Sequence, residues 1–420
     1  MVAPTRRHRP PLKLLHTSDW HLGQTLYDQE RSFEMQCFLD WLLMQLQREA
    51  PQLLLIAGDV FDSVNPPVAA QRQLYAFLAS AVRLLPQLQI VMIAGNHDSG
   101  ARIEMPAPLL GLGVSVIGRV IRNPDGTLDA KRLCIPVRGS DGRVLAHVLA
   151  LPFLRPAEVT GPEESHAQGV ARTHAELIAA GLAARQPGEA LIAISHAHMQ
   201  GGEVSPYSER RIVVGNAEAA PVELFPPEIA YVALGHLHLA QWVGGEERIR
   251  YCGSPIPMSM SERDYQHQVL LAQIDGEVLQ SIRCLPVPRA VPMRQIRGSL
   301  TEVLEALATV EATSLPREQQ PWLEVRVLLE RPLLDLAQQI DAALAGKSVR
   351  LLGPSVEYPQ ALDAADPALS ELEQIDPALL FARAWERKFQ QPVDVGVMQD
   401  FAQLMADAEA QDSAPRRGSI

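Results

Sequence analysis

The chain has 420 residues, of which 47 % are hydrophobic and 20 % are charged, enough for one large core and a smaller appended domain. Its longest apolar runs are far shorter than the roughly 20 residues that span a bilayer, so a membrane-spanning protein is excluded. The net charge of −12 argues against a nucleic-acid-binding protein, but 11 acidic and only three basic residues fall between Leu362 and Ala414, so most of the negative excess belongs to the tail.

The N-terminus and the cysteines indicate the cellular setting. Residues 1–11 are basic and Pro-rich without an apolar segment, so we expect a disordered extension and no signal peptide. The cysteines are far apart and include no CxxC pair, which predicts free thiols in a reducing cytoplasm. They are Cys37, Cys134, Cys252 and Cys284.

Strands and helices alternate in the first part of the chain. Strands are predicted at 12–17, 53–57 and 89–94, and helices at about 28–48 and 67–85 between them. This order predicts an α/β fold in which helices cover a central sheet and ligands collect at the carboxyl ends of the strands. Later strands are predicted at 144–152, 190–195, 230–234 and 248–252.

The composition shifts around 286–292, which predicts a domain boundary. A first domain over 12–288 would be followed by a small α+β domain over 289–360, and Ser299 with Glu302 predicts a capping box there. The acidic tail over 361–420 predicts two amphipathic helices, the first around Phe381 and Phe389. Such helices either pack back on their own chain or fit a groove on a partner protein.

Five short polar blocks follow predicted strands. They are DWHLG at 19–23, GDVFD at 58–62, GNHD at 95–98, SHAH at 195–198 and GHLH at 235–238. Imidazole, carboxylate and amide groups without thiolate suit manganese, iron or zinc. In SHAH we prefer His196 to His198, because His196 directly follows the strand. The candidate ligands are Asp19, His21, Asp59, Asn96, His196, His236 and His238.

This ligand set predicts phosphodiester hydrolysis. The Asp59 carboxylate can bridge two cations, and two divalent ions about 3.5–4 Å apart activate a water and polarise a phosphate. The leaving alkoxide then needs a proton, for which His97 beside Asn96 is the candidate donor, with Asp98 orienting its ring.

The blocks are those of the calcineurin-like metallophosphoesterases. Together with LPFLRP at 151–156 and RYCGSPIPMS at 250–259, they make residues 12–290 resemble the SbcD family of bacterial nuclease subunits. The resemblance implies an α/β sandwich nuclease domain, a small capping domain that contacts DNA, and C-terminal helices that dock on an SbcC-type ATPase. It also implies a cytoplasmic, nucleoid-associated enzyme with exonuclease and endonuclease activity on double-stranded ends and hairpins, in DNA repair, recombination and replication.

The resemblance further implies two manganese ions and a homodimer within a two-plus-two assembly, with the helix around Phe33–Leu46 as the candidate dimer face. Arg31, Arg102 and Arg155 lie near the family-like blocks and are candidates for contacts with DNA phosphates. By the same analogy one ion is held by Asp19, His21, Asp59 and His238, and the other by Asp59, Asn96, His196 and His236.

Two other functions stay open from the sequence. One is a small-molecule phosphodiesterase or phosphatase of the same superfamily. Two positions count against it: Ser63-Val64 stands where Ser/Thr phosphatases continue with Arg-Gly, and Asp62 stands where purple acid phosphatases need Tyr. The other is a non-catalytic scaffold for an ATPase, which has no need of so complete a ligand set. Gly346-Lys347-Ser348 lacks the earlier glycine of a phosphate-binding loop, so nucleotide binding is not predicted there.

Overall fold

The computed structural model of the chain describes residues 11–109, 111, 113–205, 219–312, 314–329, 333 and 335–357, with isolated positions beyond. The predicted N-terminal extension and the predicted tail helices therefore lie outside the described residues, apart from those isolated positions. The chain divides into two compact units, Met1–Arg326 with Asp335–Ser355 and Val327–Leu334 with Val356–Ile420.

The strands and helices of the described residues follow in chain order. The strands are β1 (Leu12–Thr17), β2 (Thr25–Leu26), β3 (Gln29–Glu30), β4 (Leu53–Ala57), β5 (Gln89–Ile93), β6 (Val114–Ile117), β7 (Cys134–Arg138), β8 (Val144–Leu151), β9 (Ala190–His196), β10 (Tyr231–Gly235), β11 (Gln241–Val243), β12 (Glu246–Tyr251), β13 (Gln268–Asp275), β14 (Val278–Pro286), β15 (Met293–Ser299), β16 (Trp322–Leu328) and β17 (Arg350–Glu357). The helices are α1 (Ser32–Glu49), α2 (Val68–Leu84), α3 (Gly100–Glu104), α4 (Ala130–Leu133), α5 (Pro156–Val159), α6 (His166–Ala184), α7 (Leu300–Ala308) and α8 (Leu336–Leu344).

Two six-stranded sheets form the body of the first unit. The first has the order β14-β13-β1-β4-β5-β6, and the second has the order β11-β12-β10-β9-β8-β7. Strands β1, β4, β5 and β6 run parallel, as do β8, β9, β10 and β12, while antiparallel strands complete the edges. Because the central strands of each sheet are parallel, their carboxyl ends share one edge.

The alternation along β4 shows why the sheets pack face to face. Leu53, Leu55 and Ala57 point into a core shared with the second sheet, and Leu54 and Ile56 point into a core shared with α1 and α2. Both faces of the strand are therefore buried, which explains its unbroken apolar run. The α/β class predicted from the sequence and the sandwich that the resemblance implies are confirmed, although the body contains two sheets where the alternation of elements predicted one central sheet.

Helix α1 begins later than the sequence predicts. It starts at Ser32 and not near Asp28, because residues before it form the antiparallel β2–β3 pair. Its apolar side, which includes Phe38 and Leu42, is buried in the core with the first sheet and α2. A contact between this helix and a second copy of the chain would therefore have to use the outer side, where Met44 is 58 % exposed, and the dimer face stays a prediction.

The residues after 289 form a three-stranded sheet of order β15-β16-β17, with α7 and α8 beside it in sequence. The predicted capping box is present: the Ser299 hydroxyl accepts from the backbone N–H of Glu302, whose carboxylate accepts from the Ser299 N–H at 2.8 Å. None of the helices described is long and apolar enough to cross a membrane.

Candidate metal centre

The seven predicted ligands lie at one edge of the sandwich. Asp19 and His21 follow β1, Asp59 follows β4 and Asn96 follows β5, and these three strands are neighbours in the first sheet. His196 ends β9, and His236 and His238 follow β10, which pairs with β9 in the second sheet. Because the sheets pack face to face, the two sets of strand ends meet.

The backbone at these strand ends is strained. Asp19, His21, Asp59 and His236 all have positive φ values, of 53°, 47°, 45° and 111°. Such conformations cost free energy in non-glycine residues and concentrate at functional sites. Gly58, at φ +87°, precedes Asp59 because a side chain there would clash with the His196 ring.

The predicted ligands form two groups that share their surroundings. Donor atoms of Asp19, His21 and His238 lie within 4.8 Å of one another, and so do those of Asp59, His196 and His236. Asp59 belongs to the second group and also approaches the first, because its Oδ2 lies 3.4 Å from His196 Nε2 and 3.7 Å from His21 Nε2.

The donor atoms are turned toward a shared centre. Asn96 Oδ1 lies 2.9 Å from both His196 Nε2 and His236 Nδ1. The other nitrogen of His196, Nδ1, lies 2.8 Å from the Ala57 carbonyl, which fixes it as the protonated one and leaves Nε2 for the cluster. Among the described residues both ring nitrogens of His21 are buried without a hydrogen-bond partner, so this ring suits the role of a metal ligand.

The electrostatics of the cluster also favour a cation. Burial opposes the charged imidazole, yet the Asp59 carboxylate raises the pKa of His196 to about 9. Burial likewise opposes the Asp59 charge, but His196 holds the pKa of that carboxyl well below its usual range. Burial lowers the pKa of His236 to about 3, so this ring is neutral and able to coordinate. Positive charge is therefore favoured beside Asp59.

His97 adjoins this cluster. Its backbone N–H donates to Asp59 Oδ1 at 2.9 Å, and its ring lies edge-on to that of His21 with centroids 4.8 Å apart. His97 Nδ1 lies 2.8 Å from the Asp62 carbonyl oxygen, so Nδ1 carries the proton of the neutral ring. Burial lowers the pKa of His97, although Asp59 opposes that shift.

The prediction that Asp98 orients His97 is wrong. The buried carboxylate of Asp98 accepts backbone N–H groups of Val60, Phe61 and Gly95, at 3.1, 2.9 and 2.9 Å. It joins the loop after β4 to the loop after β5, and the backbone of Asp62 orients the His97 ring in its place. Burial raises the pKa of Asp98 to about 6, which the three amides partly offset.

The three candidate DNA-contacting arginines differ in accessibility. Arg31 is 1 % exposed and its guanidinium binds Glu34, so the prediction that it touches DNA is wrong. Arg155 is half-buried and donates to the Asp98 carbonyl at 2.7 Å, which places it against the GNHD loop. Arg102 is exposed and donates to Asn65 Oδ1 at 2.6 Å.

Sequence reasoning missed two carboxylates beside the cluster. Asp62 Oδ1 lies 3.3 Å from His21 Nδ1, and Glu262 Oε1 lies 2.8 Å from His238 Nδ1. Asp62 is the second aspartate of the GDVFD block, so its place in that block could have indicated it as a site residue. Glu262 follows the last strand-end block by more than twenty residues, and no ligand spacing marks it.

Comparison with protein families agrees with this geometry. The calcineurin-like phosphoesterase model matches residues 12–240, and a model described as the type 5 capsule protein repressor C-terminal domain matches residues 289–389. The chain therefore belongs to the calcineurin-like phosphoesterases, which are metal-dependent enzymes, and it uses divalent metal ions.

Relatives narrow the assignment within that superfamily. The chain is 40 % identical over 386 residues to the SbcD subunit of nuclease SbcCD from Rhodobacter capsulatus, covering 89 % of this chain and 94 % of the relative. It is 33 % identical over 356 residues to the SbcD subunit from Escherichia coli K12, covering 81 % and 84 %. The SbcD subunit from Bacillus subtilis is 34 % identical over 270 residues, covering 62 % and 66 %. Within the superfamily the chain is a member of the SbcD family.

Proposed function

We propose that this chain is the nuclease subunit of an SbcCD-type complex and hydrolyses phosphodiester bonds of DNA. The observation that carries the proposal is the position of Asp59 at the meeting strand ends: it belongs to one group of donor atoms, and its Oδ2 lies 3.7 Å from His21 Nε2 in the other. A carboxylate between two such groups is the arrangement of a two-metal phosphodiesterase. Membership of the SbcD family supports DNA as the substrate.

Two divalent ions, manganese in our proposal, fit the donor set. Asp19, His21, Asp59 and His238 would hold one ion, and Asp59, Asn96, His196 and His236 the other. Nitrogen and oxygen donors without thiolate suit manganese, iron or zinc, and the choice of manganese follows from the resemblance to the SbcD family. When bound, the ions supply a nucleophile at neutral pH and neutralise charge on the phosphate.

The chain's own residues supply the remaining chemistry. The Asp62 carbonyl holds the proton of His97 on Nδ1, so protonation of Nε2 gives an imidazolium that can donate to the leaving oxygen. The bond from the His97 amide to Asp59 Oδ1 keeps this donor beside the bridging carboxylate. Asp98 and Arg155 hold the backbone that carries His97, by bonds to amides on one side and carbonyls on the other.

The proposed partners follow the family. An SbcC-type ATPase would bind the C-terminal helices predicted over 361–420, and two copies of each subunit would assemble in the cytoplasm at the nucleoid. The domain boundaries at 288 and 360 belong to the same proposal, with 289–360 as the capping domain. Arg102, exposed beside the GNHD loop, is the remaining arginine we propose for direct phosphate contact, and Arg155 is a second candidate through its half-exposed side chain.

A cleavage assay tests the proposal. Hairpin-capped duplex DNA is incubated with Mn²⁺, ATP, the full chain and its ATPase partner, in parallel with p-nitrophenyl phosphate and the chain alone. We expect DNA cleavage that needs the ATPase and is lost when residues 362–420 are removed. Hydrolysis of p-nitrophenyl phosphate alone favours a small-molecule phosphodiesterase, and stimulation of the ATPase without any cleavage favours a scaffold.

A further inference from the structure

Glu262 lies beneath the candidate metal centre. Its side chain is 0 % exposed, and Oε1 lies 2.8 Å from Nδ1 of His238, whose own side chain is 3 % exposed. A carboxylate buried this deeply needs partners for both oxygens, because an unsatisfied buried charge is costly. The contact therefore constrains the geometry of His238.

The second oxygen of Glu262 holds the loop that leads to it. Oε2 accepts the backbone N–H of Met258 at 2.8 Å and the Ser254 hydroxyl at 3.2 Å. One carboxylate thus accepts from an imidazole on one oxygen and from a loop on the other. The Met258 amide and the Ser254 hydroxyl are donors and His238 can donate through Nδ1, so a carboxylate with two acceptor oxygens suits the position.

The hydrogen bond to Glu262 determines which ring nitrogen of His238 carries the proton. With Nδ1–H donating to Glu262, the lone pair is on Nε2, the other ring nitrogen. His196 in the second group is fixed in the same manner by the Ala57 carbonyl. The two imidazoles therefore have different types of support, a neutral carbonyl for His196 and a carboxylate for His238, and a carboxylate raises the basicity of the ligand it holds.

The loop of Pro257 and Met258, which bonds Glu262, also contacts a buried arginine. Arg31 donates through Nη1 to the Pro257 carbonyl, and its Nε and Nη2 bind both oxygens of Glu34 at 3.0 and 2.8 Å. Arg31 is thus committed to this loop, which accounts for its burial. The loop whose Met258 amide bonds Glu262 is therefore itself held by protein contacts.

We propose that Glu262 is a positioning residue that fixes the orientation and the proton of His238 and thereby sets the metal affinity of the group Asp19, His21 and His238. The inference rests on the proposed function, because it assigns His238 to an ion. It predicts a defect confined to one of two ions, since Glu262 contacts His238 and the second group is supported separately.

The test measures Mn²⁺ binding to the full chain. Calorimetry gives the affinity of each site, and electron paramagnetic resonance shows whether one ion or a coupled pair is bound. In E262Q an NH₂ group replaces one carboxylate oxygen and cannot accept a hydrogen bond. We therefore expect the Mn²⁺ affinity of one site to fall about 10–100-fold, which is the usual loss when a hydrogen-bond partner of a metal-bound histidine is mutated. The resonance signal of a coupled ion pair should then give way to that of a single ion. E189Q is the matched control, because Glu189 Oε2 lies 3.1 Å from Nε2 of His147, a pair outside the centre; it should bind two ions like the wild type.

A double-mutant cycle separates positioning from a general structural effect. If Glu262 acts through His238, E262Q should cause no further loss of affinity in an H238N background, and an additive loss overturns the proposal. If E262Q melts below the assay temperature in chelator, E262D replaces it, because the shorter side chain withdraws Oε1 while keeping the charge. Wild-type affinity at both sites in the variant overturns the inference alone, whereas a wild-type chain that binds no Mn²⁺ overturns the proposed function.

Discussion

The backbone N–H of His97 donates to the carboxylate of Asp59 over 2.9 Å, which ties the proposed proton donor to the proposed bridging ligand. The bond uses the main chain, so it survives a change of the His97 side chain. A substitution of the His97 side chain should therefore impair proton transfer and leave metal binding intact.

H97Q should therefore abolish cleavage without removing metal. The glutamine keeps the amide bond to Asp59 but has no group that protonates near neutral pH, and general acid catalysis contributes about 10²–10⁴-fold. Hairpin cleavage rates and manganese content by elemental analysis are the measurements. A variant that cuts DNA at the wild-type rate refutes the role of His97, and one that loses its metal shows that the ring is a ligand.

D98N should destabilise the fold around the centre. An amide presents one acceptor oxygen and one donor group to three backbone N–H groups, so at least one amide loses its partner, at a cost of about 1–3 kcal/mol. Urea unfolding in chelator measures the loss directly. D125N is the control, because Asp125 is an exposed turn residue whose carboxylate accepts from the amide and the hydroxyl of Thr127. Equal unfolding midpoints for D98N and the wild type contradict the role we give Asp98 in joining the two loops.

W322F should weaken the buried polar cluster at Glu34. Trp322 Nε1 donates to Glu34 Oε1 at 2.9 Å, and the Arg350 guanidinium lies 3.5 Å from the centre of its ring. Phenylalanine removes this donor, while Arg31 Nε still binds the same oxygen at 3.0 Å. Because a hydrogen bond to a charged group contributes about 1.5–3 kcal/mol, we expect a loss of about that size in unfolding free energy. W242F, at a Trp that is 54 % exposed beside Arg250, should stay within about 0.5 kcal/mol of the wild type. A W322F protein as stable as W242F would show that the bond to Glu34 contributes little.

His174 should make the protein less stable in mild acid. Burial lowers its pKa to about 4, against an unfolded value near 6.5. Above the unfolded value the ring is neutral in both states, but as the pH falls from 6.5 toward 4 only the unfolded chain takes up the proton, so stability decreases. In H174L the fall in unfolding free energy between pH 7 and pH 5 should be smaller than in the wild type by about 2 kcal/mol. Parallel pH profiles for the two proteins contradict this account.

The first third of the fold could be predicted because its apolar runs are long and its strands are parallel. Leu53–Ala57 is buried on both faces, which is the pattern that a sequence displays most clearly. Strand β13 went unpredicted, since its value to the fold lies in pairing with β1 more than 250 residues away, as at Leu14 and Ala272. Strand β14, which pairs with β13 at the edge of the sheet, also went unpredicted. The sequence also shows that α1 has an apolar face without showing what covers it.

The clustering of the predicted ligands could be anticipated because each lies at or just after a strand end, but the residues that hold them in place could not. Asp98 looked like a partner of His97 because the two are adjacent in sequence, and the fold instead turns its carboxylate toward amides of another loop. Arg31 looked exposed because arginine usually is, and the fold buries it with Glu34. Glu262 carries no motif, because its role depends on a contact with His238 that only the folded chain creates.

The most direct test of the two-metal account is an anomalous-difference map from a crystal of the full chain soaked in Mn²⁺. We expect two peaks, one among Asp19, His21 and His238 and the other among Asp59, Asn96, His196 and His236, with Asp59 touching both. A single peak with no second ion at saturating Mn²⁺, or peaks away from these side chains, would contradict the assignment of this centre as the site of phosphodiester hydrolysis.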